Sequence, residues 1–246
     1  MDVTQSIDGE RLIAVFTAVV EQLGQTLPKS YELVLHDLTK LPNSIVAISG
    51  EVTRREVGDP ATDLLLKQAA SGRFESRHAY DTSLSDGRKL RSSTMIIEDV
   101  SGRPVAALCM NADLTLWEQL KDLSDLVAST VGIGASRPLG PADEGVHAVI
   151  DLSENGSAHE AFVHDVDELA SHLINASINN IGVPIDLMQK QHKVEVVRDL
   201  KARGLFMLKD AVQLIASELG VTRFTIYNYL NQIAEEEELL EQQLSS

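Results

Sequence analysis

The sequence predicts an α+β fold for the N-terminal half of the chain and an all-α fold for the C-terminal part. In the first half, short segments rich in β-branched residues recur, and the dipeptides Asp86-Gly87 and Ser101-Gly102 between them are strong hairpin signals. Later in the chain, apolar residues recur at helical spacing instead. Residues 131–157 between these regions are rich in Gly, Pro, Ser and acidic side chains, as linkers are. We therefore expect an N-terminal domain over residues 1–130, this linker, and a helical domain over residues 158–246.

The N-terminal elements are predicted in the order helix, two strands, helix, three strands, helix. Ile7–Leu23 has apolar residues along one side, as an amphipathic helix does. Asp59 and Pro60 are expected to open the second helix, because Asp is a favoured N-cap and Pro suits the first helical position. A five-stranded antiparallel sheet with helices on one face is the architecture of PAS-type sensor domains. The remaining predicted elements are the strands Tyr31–Leu38, Ser44–Ser49, Tyr80–Ser85, Lys89–Glu98 and Pro104–Ala112 and the helix Leu114–Ser129.

The C-terminal region has the layout of a helix-turn-helix. Lys209–Leu219 is predicted as its first helix, and Gly220 follows where a helix end requires a positive φ. Thr222 is expected to cap a second helix, which buries Ile226 and Leu230. The other predicted features are the helices His159–Ile181 and Asp186–Ala202 and, beyond the motif, the solvated acidic run Glu235–Glu238.

The second helix, which is predicted to end near Gln232, leaves hydrogen-bond donors and flat side chains on its outer side. Such groups suit phosphates and base edges in the major groove of DNA. Two amphipathic helices joined at a Gly are also common in all-α cores, but the run TRFTIYNYL resembles the recognition helix of many bacterial regulators. The residues predicted to contact DNA are Thr222, Arg223, Phe224, Thr225, Tyr227 and Asn228, and Asn231 is also expected to face outward.

The distribution of charge agrees with this assignment. The whole chain contains 21 Lys and Arg against 37 Asp and Glu, a net charge of −16. Between Lys190 and Ala234 the balance reverses, to 7 basic against 4 acidic residues. Because phosphate contacts dominate DNA affinity, cationic residues concentrated in one region of an acidic protein indicate where DNA would bind.

Composition indicates a globular protein of a reducing compartment. Hydrophobic residues make up 43% of the chain and aromatic residues only 4%, so the cores are expected to be aliphatic. The single cysteine, Cys109, excludes an internal disulfide. The N-terminus shows no basic segment followed by an apolar run, and no apolar stretch reaches the roughly 18–20 residues that a membrane span needs. We therefore expect a soluble, cytoplasmic protein.

Several segments, in order along the chain, resemble one known family. His36–Leu38, Asn43–Asp63, Ser83–Thr94 and Cys109–Thr115 are similar to the YheO-like PAS domain, and the segment KDAVQLIASELGVTRFTIYNYL is similar to the helix-turn-helix paired with it. Together they resemble YheO-type transcriptional regulators, which include the regulator of D-arginine catabolism. The resemblance implies a cytosolic, DNA-binding regulator with an N-terminal sensory PAS domain, and it leaves the sensed signal open.

Polar residues of the predicted PAS strands are candidate ligand contacts, because in such a fold the sheet and its covering helix enclose a pocket. Each of them is also explained as a structural hydrogen-bonding residue. The candidates are His36, Asn43, Tyr80, Ser92, Ser93 and Asn111.

No catalytic residue, cofactor or metal site is expected. His36 and Asp37 are adjacent in a predicted strand, so they point to opposite faces and cannot form an acid–base pair. The histidines of the predicted helix His159–Ile181 are spaced by five and eight residues, which scatters them around it. Cys109 is expected to be a small buried residue rather than a redox sensor, since no cation lies near it in sequence.

The function predicted from the sequence is that of a transcriptional regulator. Its PAS part is expected to bind a small polar metabolite, such as an amino acid or a derived keto acid, and its helix-turn-helix to bind operator DNA. Two alternatives stay open: a PAS-type protein-interaction module without direct DNA binding, and an enzyme that uses His36. Because one helix-turn-helix buries little area on DNA, we expect a homodimer or higher homo-oligomer with Val19 or Val20 in the interface.

Overall fold

The structure is a computed structural model that describes residues 7–130 and 160–244, and the predicted linker lies outside these residues. The N-terminal elements are helix α1 (Ile7–Gly24), strands β1 (Tyr31–Asp37) and β2 (Ile45–Ser49), helix α2 (Asp63–Ser71), strands β3 (Arg77–Ser83), β4 (Lys89–Glu98) and β5 (Pro104–Asp113), and helix α3 (Thr115–Thr130). The five strands form one antiparallel sheet in the order β2-β1-β5-β4-β3. The predicted α+β fold class is confirmed.

The two faces of the sheet differ in chemistry. On one face, Leu33 of β1 and Ala106 of β5 pack with Val20 of α1 in an aliphatic core. The alternate residues of the same strands form the opposite face, where Leu65 of α2 packs with Ala107. Helices therefore pack on both faces, whereas the sequence predicted them on one. The face on the α2 side also carries most of the buried polar side chains of the strands.

Helix α2 begins later than the sequence predicted. Thr62 is its N-cap, and the hydroxyl oxygen accepts a hydrogen bond from the Leu65 N–H at 3.4 Å. Asp59, the expected cap, instead accepts from the Glu56 N–H at 2.8 Å and so closes the preceding turn. Both Asp and Thr are favoured caps, and the turn at Asp59 leaves Thr62 to start the helix.

The C-terminal part is all-α. Its helices are α4 (Val166–Ile181), α5 (Lys190–Ala202), α6 (Ala211–Glu218) and α7 (Arg223–Leu244), with short 3-10 turns at Ile185–Leu187 and Leu205–Met207. They share one apolar core that includes the fully buried Leu173, Val197, Ile215 and Ile226. None of the helices within residues 7–130 and 160–244 is long and apolar enough to cross a membrane.

The predicted long helix from His159 is wrong at its N-terminal end. Position 159 lies outside the described residues, and residues 160–165 are not helical. The Asp165 carboxylate accepts from the Glu168 N–H at 2.7 Å, and the Glu168 carboxylate accepts from the His164 N–H at 3.0 Å. This reciprocal pair is a helix-start motif, so α4 begins at Val166.

Helix α2 joins the two parts of the chain. Leu66 on this helix is fully buried in the core of the C-terminal helices. Two half-exposed histidines of the C-terminal part also approach carboxylates beside α2: His164 lies 3.7 Å from Asp59, and His172 lies 3.9 Å from Asp63. The N-terminal and C-terminal parts are therefore in direct contact.

Candidate functional site

The helix-turn-helix consists of α6, α7 and a tight turn between them. Helix α6 ends at Glu218, and Gly220 adopts a φ of 60°, a conformation that favours Gly. The Val221 N–H donates to the Ala216 carbonyl at 2.9 Å, which closes the turn. Ile226 on α7 is fully buried against the core that α6 also enters. The turn and this contact together fix the direction of α7 relative to α6.

The exposed side of α7 is unusual for a soluble surface. Thr222 caps the helix, because its Oγ1 accepts from the Thr225 N–H at 3.1 Å. Phe224 and Tyr227 are 73% and 54% exposed, and large exposed aromatic groups mark surfaces that meet a partner. Tyr229 is buried, which the sequence analysis missed. The other exposed residues on this side are Arg223, Asn228 and Asn231, while Thr225 and Leu230 are partly buried.

Ion pairs reduce the positive charge available around α7. Arg198 and Lys201 on α5 pair with Glu236 and Glu237, which the sequence predicted to be a purely solvated run. These pairs join α5 to the C-terminal half of α7. Arg223, at the opposite end, is exposed and forms no ion pair with any residue that the structure describes. Its guanidinium and the positive end of the helix dipole therefore concentrate charge at the N-terminus of α7.

A second group of candidate site residues lies on the polar face of the sheet. The Glu32 carboxylate accepts from the Thr53 N–H at 2.9 Å, the Thr53 hydroxyl at 2.7 Å and the Asn111 amide at 3.1 Å. The Ser92 hydroxyl donates to Asn111 Oδ1 at 2.9 Å, and the Thr82 hydroxyl lies 3.0 Å from that of Ser92. We call this row the polar ladder; it crosses β1, β5, β4 and β3.

Arg55 lies beside the polar ladder, in the loop between β2 and α2. It is only 4% exposed, and its Nε donates to Thr53 Oγ1 at 3.1 Å. Its guanidinium carbon lies 5.1 Å from the centre of the Phe162 ring. Its Nη1 is buried and has no hydrogen-bond partner among the described residues. A buried guanidinium nitrogen without an acceptor is unfavourable, so Arg55 has capacity for an anion.

Arg88 fixes the loop that contains Arg55. Its Nη2 donates to the Val52 carbonyl and its Nη1 to Asp113 Oδ2, both at 3.0 Å. Its Nε donates to Asp86 Oδ2 at 2.9 Å, and the hydrogen bonds from Arg88 hold the pKa of Asp86 below its usual range. One guanidinium therefore ties the β3–β4 hairpin and the end of β5 to the loop.

The C-terminal part adds a buried carboxylate to this face. Glu160 Oε1 accepts from the Thr62 hydroxyl at 2.6 Å, and Glu160 Oε2 accepts from the Tyr80 hydroxyl at 3.1 Å. The Tyr80 hydroxyl also lies 2.9 Å from Thr94 Oγ1. Burial raises the pKa of Glu160, and burial together with the Glu160 charge raises the pKa of Tyr80. Residues from both parts of the chain thus meet at one buried polar site.

Comparison with known proteins decides the family. The YheO-like PAS domain family matches residues 7–129, and an HTH domain family matches residues 169–231. The chain belongs to the YheO-like PAS family. With the HTH domain that follows, this YheO-like chain is a DNA-binding transcriptional regulator, and its family is not an enzyme family.

Several relatives align with this chain over most of their length. An uncharacterized protein of Haemophilus influenzae is 26% identical over 235 residues, which cover 94% of this chain and 95% of the relative. The transcriptional regulator DauR of Pseudomonas aeruginosa is 27% identical over 222 residues, covering 89% and 93%. The uncharacterized protein YheO of Escherichia coli is 25% identical over 225 residues, covering 90% and 84%. No solved structure matches the chain.

In this YheO-like chain, three of the six predicted ligand residues come together on the polar face. Ser92 and Asn111 belong to the polar ladder, and Tyr80 lies beside it. Tyr80 reaches this face because β3 has a bulge, with a register shift between Arg77 and Tyr80 and a positive φ of 50° at Ala79. A strict two-residue alternation from Arg77 would have placed Tyr80 on the other face.

The other three predicted ligand residues lie apart from this group. His36 is on the polar face, but its Nδ1 lies 2.9 Å from Ser44 Oγ, and burial together with the Arg55 charge lowers the pKa of His36 to about 3. Asn43 is exposed and donates to a loop carbonyl at 2.9 Å. Ser93 accepts from a backbone N–H of β3 at 2.9 Å and so stabilises the bulge. All six remain predictions as ligand contacts.

Sequence reasoning missed most of the polar site. Some of the missed residues carried a local signal, because polar side chains at alternate positions of β1 and β4 mark a polar face. Others lie in the segment that resembles the family, residues 43–63, and were not predicted as ligand contacts. The missed residues are Glu32, Thr53, Arg55, Thr62, Thr82, Thr94 and Glu160.

Cys109 is partly buried, and its surroundings do not favour the thiolate. Burial, together with the Glu160 charge, raises the pKa of its thiol to about 12, and its Sγ lies 3.4 Å from Thr94 Oγ1. A thiol is nucleophilic as the thiolate, so a raised pKa works against its reactivity at neutral pH. Within the described ranges, His, Cys, Asp and Glu form no group of three or more that could hold a metal ion.

Proposed function

We propose that the PAS domain of this regulator binds a small polar metabolite in the cytoplasm, such as an amino acid or a derived keto acid, and that binding changes the affinity of the helix-turn-helix for operator DNA. The supporting observation is the buried polar face around Arg55, whose Nη1 has no acceptor among the described residues. Buried polar groups contribute little net stability, and the other face of the same sheet has an apolar core. The buried polar face is therefore better explained by recognition of a ligand than by a contribution to the stability of the fold.

The DNA contacts are proposed to lie on the first two turns of α7. Arg223 and Asn228 are exposed there, and Ile226 anchors the helix from the opposite side. Arg and Asn can each make paired hydrogen bonds to a purine base edge. The exposed rings of Phe224 and Tyr227 suit apolar contact with thymine methyl groups or the sugar–phosphate backbone.

A homodimer is proposed to form through α3. Leu116, Leu120, Leu123 and Val127 repeat at intervals of four, three and four residues, and their exposures range from 49% to 65%. This is the heptad spacing of a two-helix coiled coil. The sequence placed Val19 or Val20 in the interface: Val20 is fully buried inside the protomer, so that half of the expectation is wrong, whereas Val19 is partly exposed and stays a prediction. A dimer would also supply the two recognition helices that an operator with two half-sites requires.

The test of this function has two stages. Mass spectrometry of small molecules released from the native protein identifies candidate effectors. Operator DNA is then titrated with and without the effector on the full-length protein and on a fragment starting at Ser157. We expect a coupling of about 1–3 kcal/mol in the full-length protein and none in the fragment.

The same titrations discriminate the alternative of a PAS-type interaction module. DNA affinity that falls steeply with salt concentration supports direct binding by α7, because phosphate contacts release counterions. Affinity that is absent, or equal for all sequences and insensitive to salt, would favour the interaction module.

A further inference from the structure

Two hydroxyl donors converge on the Glu160 carboxylate from different elements. Thr62 donates from the N-cap of α2 and Tyr80 donates from β3, one to each carboxylate oxygen. Thr62 also accepts from the Leu65 N–H, so its hydrogen is directed towards the carboxylate. The PAS domain therefore contains a shaped pair of donors for one carboxylate group.

Arg55 is an independent indication that this region receives an anion. Its guanidinium is almost fully buried, its Nη1 lacks an acceptor among the described residues, and the Phe162 ring covers it. Its charge opposes the rise in the pKa of Glu160 that burial causes, but the two side chains do not form an ion pair. Glu160 therefore accepts both hydroxyl hydrogen bonds but leaves Arg55 Nη1 without an acceptor among the described residues.

We propose that Arg55, Thr62 and Tyr80 form a carboxylate-binding site of the PAS domain, that Glu160 occupies this site in the effector-free protein, and that a carboxylate-bearing effector binds by displacing Glu160. The inference rests on the proposed sensor function and assigns it a ligand class. A free carboxylate is not constrained by the chain, so it has the freedom to reach Arg55 Nη1 as well as the hydroxyls.

Displacement of Glu160 can affect the helix-turn-helix through residues that are in direct contact. The Ala161 N–H donates to Asp63 Oδ1 at 2.7 Å, and Phe162 lies on Arg55, so residues 160–162 are attached to the PAS domain as one segment. Helix α4 begins four residues after this segment and packs in the same core as α6 and α7. Release of the segment therefore frees the N-terminal end of α4 from the PAS domain. The predicted linker, residues 131–157, is not part of this route.

The test uses the full-length protein and pyruvate as the probe, with pyruvamide as its uncharged counterpart. Dissociation constants are measured for the wild type, Glu160→Gln and Arg55→Gln, and Asp167→Asn is the control for removing an exposed negative charge nearby. Glu160→Gln keeps the shape of the side chain but removes the competing charge. We expect it to bind pyruvate about tenfold more tightly than the wild type, and Arg55→Gln to bind about tenfold more weakly. Asp167→Asn should match the wild type, and pyruvamide should not bind.

Hydrogen exchange provides a readout that requires no variant. In the wild type, saturating pyruvate should speed exchange of the amides over residues 160–165, because displacement breaks the Ala161 hydrogen bond. Unchanged or slower exchange would overturn displacement, even if Glu160→Gln failed to fold. Weaker pyruvate binding by Glu160→Gln would instead make Glu160 an effector contact and overturn the proposal. If neither the wild type nor any of the variants binds pyruvate, the proposed carboxylate-binding site is wrong. These measurements use no DNA, so they are separate from the test of operator binding.

Discussion

The carbonyl oxygen of Leu66 lies 2.8 Å from the position that a Cβ atom on Gly204 would occupy. Leu66 belongs to the PAS helix α2, and Gly204 follows α5 of the helical domain with a φ of +85°. The two backbones approach this closely only because Gly has no side chain. Gly204 therefore permits this close backbone contact between the PAS domain and the helical domain.

Gly204→Ala is expected to destabilise the protein more than a substitution at a glycine with open surroundings. Gly182→Ala is the matched control, because its φ of +68° requires the same left-handed backbone but nothing lies within 4 Å. We expect the control to lose about 1–2 kcal/mol of unfolding free energy through backbone strain. Gly204→Ala should lose about 1–3 kcal/mol more through the clash with Leu66. Urea unfolding measures both, and equal losses would contradict close packing at Leu66.

Arg223→Ala is expected to weaken operator binding without changing stability. The side chain is exposed and forms no ion pair with any described residue, so thermal unfolding should change only within a few tenths of a kcal/mol. Operator affinity should fall by about 1–3 kcal/mol if Arg223 contacts a guanine. Arg11→Ala, at an exposed position of α1, removes the same charge far from α7 and should leave affinity near that of the wild type. Full affinity in Arg223→Ala would remove this residue from the DNA interface.

His36 is expected to make stability depend on pH. The pKa of His36 is lowered from 6.5 to about 3 in the folded protein, so below pH 6.5 the unfolded state binds a proton that the folded state does not. The stabilisation is present above pH 6.5 and is lost as the pH falls towards 3. Each pH unit in this window is worth about 1.4 kcal/mol.

His36→Asn is the variant that isolates this effect, since Asn keeps a polar atom near Ser44 and does not titrate. Urea unfolding at pH 7, 6, 5 and 4 should give a difference between wild type and variant that changes steadily below pH 6.5. Glu160 titrates in both proteins, so its contribution cancels in the difference. A pH-independent difference would show that His36 titrates alike in the folded and unfolded states.

Leu123→Glu is expected to dissociate the proposed dimer. Leu123 is 57% exposed within the protomer, so the substitution should leave the fold intact, but a coiled-coil seam would bury the new charge without a partner. Ser124→Glu is the control, because it adds the same charge at an exposed neighbouring position outside the repeat. Light scattering should report a dimer for the wild type and the control and a monomer for Leu123→Glu. A monomeric wild type would exclude the interface.

Local chemistry explains which features the sequence predicted correctly. Gly220 and Thr222 each act within a few residues of their own position, so the end of α6 and the start of α7 follow directly from residue type. The hairpin between β3 and β4 is likewise decided by its Asp86-Gly87 turn. Such signals need no knowledge of the rest of the fold.

The polar site depended on contacts that no local pattern contains. Thr62 and Glu160 are 98 positions apart, and nothing in either neighbourhood indicates the other. Tyr80 faces the site only because of the bulge that precedes it. Val20 illustrates a different limit: some apolar residues of α1, such as Val15, lie outside the buried side, and the sequence cannot say which of them meet the sheet.

Each hydroxyl in the polar site has one hydrogen to give, and this sets a direction of donation. Ser92 gives its hydrogen to Asn111, so Thr82 must give its own to Ser92 and retains only lone pairs. Tyr80 gives its hydrogen to Glu160, so Thr94 must donate to Tyr80 and Cys109 to Thr94. Each series of hydrogen bonds therefore ends at a carboxylate, the first at Glu32 and the second at Glu160. A ligand group beside Thr82 can form a hydrogen bond with its hydroxyl oxygen only as the donor. An ammonium group can donate such a bond, whereas a ketone oxygen cannot.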